Sequence, residues 1–191
     1  MKIFVVNGAP CSGKTTFEEN IKKMTRYRNC YILSTITPIK EIAKMVGWDG
    51  TKDQKSRKFL SDLKDLLTEY NDFSFNYIQR QIFTIRHEWE QYGLDNNDAV
   101  VFIDCREPEE IKRLCDELGA KSLLIRRASA ENSATSNHAD SEVLNYDYDI
   151  ILENNGDLRD FAEKAFEFMK VEGLPTLPNL TINLFGEIVP E

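Results

Sequence analysis

The sequence predicts an α/β fold in one domain, residues 1–191: a parallel sheet of about five strands with helices on both faces, a helical arm and a lid loop. Three observations predict it. Short apolar runs alternate with longer segments of helical periodicity, the pattern of strands linked by crossover helices. A glycine-rich turn stands directly after the first apolar run and before a helical pattern. A later run, Ala99-Val-Val-Phe-Ile-Asp104, is continuously apolar and ends in an acid, as suits a strand covered on both faces that opens on a ligand crevice.

Lys2–Val6 is the first strand, and Phe17, Ile21 and Met24 mark the helix after the turn. Tyr31–Leu33 is the second strand. Ile39, Ile42, Ala43 and Val46 then recur at helical spacing. Two consecutive helices break the alternation and form the arm, residues 52–93. Phe59, Leu60, Leu63, Leu66, Leu67 and Tyr70 line the first; Phe75, Ile78, Ile82, Ile85, Trp89 and Tyr92 line the second. Ala99–Ile103 is the third strand. A helix follows, with Pro108 in its first turn and a stop at Gly119. Ser122–Ile125 and Asp149–Leu152 complete the sheet. Between them residues 128–142 are small, polar and aperiodic, a mobile loop that serves as the lid. Asp157 is the N-cap of a last helix carrying Leu158, Phe161, Ala165, Phe166 and Met169. The extension, residues 174–191, sets prolines around the apolar run Leu180–Val189 and reads either as an added edge strand or as a homodimer contact.

Composition excludes several classes of function. The net charge is −8 and the lysines and arginines are scattered, so no basic face for nucleic acid is expected. No apolar run reaches the length of a membrane span. Ile3–Val6 runs straight into the turn, unlike a targeting peptide. Cys11, Cys30, Cys105 and Cys115 form no CxxC pair and no metal-ligand spacing with the histidines, so reduced thiols in the cytoplasm are expected.

The chemistry is concentrated in Gly8-Ala9-Pro10-Cys11-Ser12-Gly13-Lys14-Thr15, which satisfies GxxxxGK[ST] and is followed by Thr16. Glycines at both ends let successive N–H groups turn inward on an anion, and the following helix adds the positive end of its dipole. Lys14 supplies a cation to the β- and γ-phosphates of ATP, and the Thr15 hydroxyl is placed for Mg²⁺. Asp104, at a strand end on the same side of the sheet, would hold Mg²⁺ directly or through water. Arg106 either grips a substrate phosphate or forms a surface ion pair with Glu109 or Glu110.

The order of these motifs resembles the deoxynucleoside monophosphate kinase family of P-loop nucleotide kinases. Four stretches carry it: the glycine-rich loop; Pro38 to Asp49; Asp104-Cys-Arg106 with its helix and Gly119-Ala-Lys; and Leu124-Ile-Arg-Arg127 through His138-Ala-Asp-Ser-Glu142 to Ile151–Leu158. They span most of residues 1–170, whereas the extension has no counterpart and the arm lacks the family's Gly-Thr segment. The resemblance implies Lys40 at a monophosphate site, with Arg57 a further substrate-site residue. It also implies Arg126 or Arg127 at the base of a lid, and Asn154, Asn155 and Gly156 beside the adenine. The expected activity is transfer of the γ-phosphoryl of ATP, with Mg²⁺, to a nucleoside or deoxynucleoside monophosphate. Lys14, Arg126, Arg127 and Asp104 are the expected catalytic residues. Two rivals stand beside it: a kinase of hydroxyl acceptors with Asp104 as base, and a non-catalytic ATP-binding regulatory module.

Overall fold

The first strand, Lys2–Asn7 (β1), is buried over almost its whole length, which only a sheet covered on both faces permits. The computed structural model describes residues 1–25, 29–131 and 146–190. After β1 come Lys14–Met24 (α1), Cys30–Ser34 (β2), Thr37–Met45 (α2), Gln54–Asn71 (α3) and Phe73–Gln91 (α4). Then follow Val100–Asp104 (β3), Pro108–Leu118 (α5), Lys121–Arg126 (β4), the short Ala128–Glu131 (α6), Ile150–Glu153 (β5) and Leu158–Val171 (α7). Leu180–Ile182 (β6) and Ile188–Pro190 (β7) end the chain. The five-stranded sheet has the order β2-β3-β1-β4-β5, with β1 parallel to β3 and β4, and β4 parallel to β5. The architecture is α/β, as the sequence predicts.

Strand side chains alternate between the two faces, and both faces are filled. Phe4, Val6, Val100, Phe102, Leu123 and Ile125 share one core with Phe17 and Ile21 of α1 and with Phe161, Ala165 and Phe168 of α7. Five rings knit that core: Phe4 lies 5.6 Å from Phe102 and 5.1 Å from Phe168, and Phe17 lies 5.2 Å from Phe168 and 6.2 Å from Phe161. The intervening residues, Ile3, Val5, Val101, Ile103 and Leu124, are also buried, and α5 packs on β1 and β4 with Ile111 and Leu114 fully covered.

Helix boundaries follow the predicted signals. Pro108 opens α5 and Gly119 closes it in the left-handed conformation, φ 64°. Asp157 caps α7 by accepting from the Asp160 N–H at 2.8 Å. Two expectations change. Residues 128–131 of the expected loop form α6, while 132–142, with His138, lie outside the described residues. The extension adds no strand to the sheet edge: β6 and β7 pair with each other as a separate antiparallel hairpin. Leu180, Ile182 and Ile188 already have an apolar face to cover, the core beside Met24 and Phe166, so the hairpin lies on helices instead.

The chain divides into two compact units, residues 1–32 with 95–191, and residues 33–94. The second unit holds α2, α3 and α4. Asp53 caps α3, and Asp72, at φ 55°, makes the left-handed turn into α4. Phe75, Ile78, Ile82, Ile85 and Trp89 are buried as expected, whereas Tyr92 falls beyond the helix end and is exposed. The α3 stripe is split. Leu60, Leu63 and Leu67 are half-buried with Lys64 buried among them, and Phe59, Leu66 and Tyr70 turn outward. The inner set recurs at i, i+3, i+4, i+7; the outer set lies about one residue, roughly 100°, around the helix. Among the described residues no helix is long and apolar enough to cross a membrane.

Candidate nucleotide site

The loop between β1 and α1 is set by a buried asparagine. Asn7 is fully covered; its Oδ1 accepts from the Gly8 N–H at 2.7 Å, and its amide donates to the Arg106 carbonyl at 3.1 Å and the Tyr148 hydroxyl at 2.7 Å. The two amide bonds tie the start of the loop to the segments that follow β3 and precede β5, and the third fixes the loop's first N–H. The loop then turns through left-handed conformations at Gly8, Cys11 and Gly13. A Cβ at Gly8 would stand 2.5 Å from the Ile125 carbonyl, and one at Gly13 would run into the Asn154 side chain. Close approach on both sides therefore requires glycine at both ends.

Helix α1 begins at Lys14 with no side chain capping Gly13. Its first amides have no carbonyl one turn earlier to bond to, so they and the dipole present an anion site. Lys14 reaches back across the loop, its Nζ donating to the carbonyls of Gly8 at 2.5 Å and Ala9 at 3.2 Å. A cavity of about 500 Å³ opens over this turn. Cys11, Ser12, Gly13, Lys14, Thr15 and Thr16 line one side, and Arg127, Asn154, Gly156, Asp157, Leu158 and Phe161 the other. Asn154 joins the two sides by donating to the Ser12 carbonyl at 2.8 Å.

The remaining predicted residues divide by position. Gly8, Ala9 and Pro10 form the first half of the loop, outside the cavity lining. Arg127, rather than Arg126, lines the cavity; the Arg126 carbonyl accepts from the Asn154 N–H at 2.7 Å. The Asn155 side chain turns away to accept from the Ala128 N–H at 2.9 Å, fixing the start of α6. Asp104 ends β3 opposite Val6, and the next residue's N–H donates to the Val6 carbonyl at 3.1 Å, so this acid stands beside the entry to the loop. Arg106 is exposed. Lys40 on α2 and Arg57 on α3, both exposed, belong to the unit of residues 33–94.

Two residues escaped the sequence reading. Asn7 closes an apolar strand, where its only signal is polarity before a glycine. Glu18 lies on α1, one turn after Lys14, and is 3% exposed. Burial first, then the nearby Asp104 carboxylate, push its carboxyl from the ordinary 4.5 up to about 8, against the pull of Lys14 and Lys22. Its signal was present: an acid three residues before Ile21, on the stripe that Phe17, Ile21 and Met24 define.

The donors present fit a hard divalent cation. Thr15, Asp104 and Glu18 offer oxygen, and the Oε1 of Glu18 and Oγ of Ser12 are buried with no hydrogen-bond partner among the described residues. The trio Cys105, Glu107 and Glu110 also brings ligand atoms within 4.8 Å, but there the thiol donates to Glu110 Oε2 at 3.1 Å. All four cysteines are free, and burial pushes the Cys30 thiol up to about 12 and that of Cys115 to about 11.

No protein-family model matches the chain, and no curated protein matches it. Solved structures similar to it include a sugar kinase of a Janibacter species, 15% identical over 93% of this chain and 99% of that one, with a TM-score of 0.44. The APS kinase of Mycobacterium tuberculosis, solved as a cysteine-to-alanine mutant, is 11% identical over 90% and 96%, with a TM-score of 0.40. A protein of Thermus thermophilus is 16% identical over 90% and 97%, also at 0.40. Likeness at this level bears no weight on substrate or chemistry.

Proposed function

We propose that the chain is a cytoplasmic, Mg²⁺- and ATP-dependent kinase that phosphorylates a nucleoside or deoxynucleoside monophosphate. One observation carries the reading. An uncapped helix start, a glycine-framed turn and Lys14 line the same cavity as a second cation, Arg127. Inward amides and fixed positive charge at such a turn suit a polyphosphate. The motif order described above directs the choice of acceptor toward a monophosphate.

The amides of α1 and Lys14 bind the β- and γ-phosphates, and Lys14 exchanges the carbonyls of Gly8 and Ala9 for phosphate oxygens. Thr15 and Asp104 would hold Mg²⁺, which supplies charge neutralisation on those oxygens. Arg127, from the opposite wall, meets charge developing on the transferred group, and Asn154 keeps the loop and the far wall in register. A monophosphate acceptor is already anionic, its second pKa being about 6, so alignment suffices and no protein base is required.

The test is ADP formation with ATP and Mg²⁺ over a panel of ribo- and deoxyribonucleoside monophosphates and the matched nucleosides. One or more monophosphates should stimulate turnover. Lys14→Ala should lower kcat/KM by about a hundredfold or more. Preference for nucleosides would transfer the assignment to a hydroxyl kinase, and ATP binding without acceptor-stimulated turnover would make the chain a regulatory module.

A further inference from the structure

Glu18 occupies a position that packing alone would give to an apolar side chain. It shares the inner face of α1 with Phe17, Ile21 and Met24, all essentially covered. Its Oε1 is buried there without a hydrogen-bond partner among the described residues, which is costly. Leucine or methionine would remove that cost and fill the same space. A group kept at such a cost one helical turn from the glycine-rich loop is a candidate for function.

The neighbours of Glu18 indicate which function. On the helix, Lys14 precedes it by four residues and Thr15 by three, so all three lie on adjoining rows of one face. Lys22 follows by four, and Glu19 is adjacent. From the sheet, Asp104 comes close enough to act on its charge. Cys30, at the start of β2, feels Glu18 in turn, its thiol already held protonated by burial. The acid therefore sits between the helix bearing the Thr15 hydroxyl and the strand end bearing Asp104. Two carboxyls this close repel when both ionise, whereas a divalent cation between them turns the repulsion into attraction. Mg²⁺ is commonly bound by one or two carboxylates while it keeps several waters.

We infer that Glu18 is a second carboxylate of the divalent-cation site, joining Asp104 to hold the metal at the foot of the phosphate loop. The cation site is then part of the protein, able to take up metal without nucleotide. This rests on the phosphate-binding reading of the loop, and the experiment separates the two.

The full chain is titrated with Mn²⁺ in the absence of nucleotide and followed by electron paramagnetic resonance. Wild type should bind Mn²⁺. Glu18→Gln, which keeps the shape and removes the charge, should weaken that binding tenfold or more. Glu18→Asp, which keeps the charge on a shorter arm, should weaken it less and alter the Mn²⁺ line shape. In parallel, inorganic tripolyphosphate is titrated into wild type in EDTA to test the loop alone. If tripolyphosphate binds but wild type takes up no Mn²⁺, or both variants bind it as tightly as wild type, the Glu18 assignment is overturned and the loop reading stands. If tripolyphosphate does not bind, both fall.

Discussion

Glu18 and Asn7 are both buried, polar and within a turn of the glycine-rich loop, yet they do opposite work. Asn7 has three hydrogen bonds and holds the loop; Glu18 has an oxygen that lacks one. The difference has a pH signature. The folded chain binds the Glu18 proton more tightly than the unfolded chain, because the carboxyl titrates at about 8 instead of 4.5. Its contribution to stability is complete below the unfolded value and is lost as pH rises through the folded one. In metal-free buffer, the unfolding free energy read from denaturant titrations should fall between about pH 5 and 8 by an amount on the order of a few kcal/mol, and Glu18→Gln should flatten that slope. Carboxyls held low act in the other direction, below the ordinary 3.8; Asp149, bonded by the Ser122 N–H and hydroxyl, is one. Asn7→Leu should cost about 2–4 kcal/mol in urea unfolding, since it removes the hydrogen bonds to the Gly8 N–H, the Arg106 carbonyl and the Tyr148 hydroxyl together.

At the scale of the element, helix ends were the most legible part of the sequence. Pro108 and Gly119 act through backbone geometry and Asp157 through a side-chain hydrogen bond, all within a few residues, and each does what its chemistry predicts. Replacing Asp157 by Ala should therefore cost about 0.5–2 kcal/mol, measured as a lower thermal midpoint. Strands read well because burial on both faces leaves nearly unbroken apolar runs. Faces of helices read less well. In α3 the leucines and aromatics form one broad stripe in the sequence, but only Leu60, Leu63 and Leu67 turn inward, since which edge of a stripe is covered depends on partners far along the chain. Glu18 was missed for the same reason: an acid on an apolar row gains meaning only when Asp104, 86 residues later, is brought beside it. Likewise the lining of the cavity by Leu158 and Phe161 follows from tertiary packing, not from any local motif.

For the whole molecule, the C-terminal hairpin is a brace rather than an appendage. The Leu177 N–H donates to the Met24 carbonyl at 2.8 Å, which satisfies the far end of α1. Leu180, Ile182 and Ile188 seat against the core, and the Gly186 backbone lies so close to Leu158 and Arg159 that a Cβ would stand 2.6 Å from the Leu158 carbonyl carbon. Gly186→Val should loosen the hairpin and lower the thermal midpoint by several degrees, for it adds bulk where none fits and at φ 77° strains the turn. Leu158 also lines the cavity over the glycine-rich turn. The hairpin thus touches the start of the cavity wall opposite Lys14. Filling that cavity should slow amide hydrogen exchange in residues 180–189, so the tail becomes a reporter of occupancy that can be read without touching the loop itself.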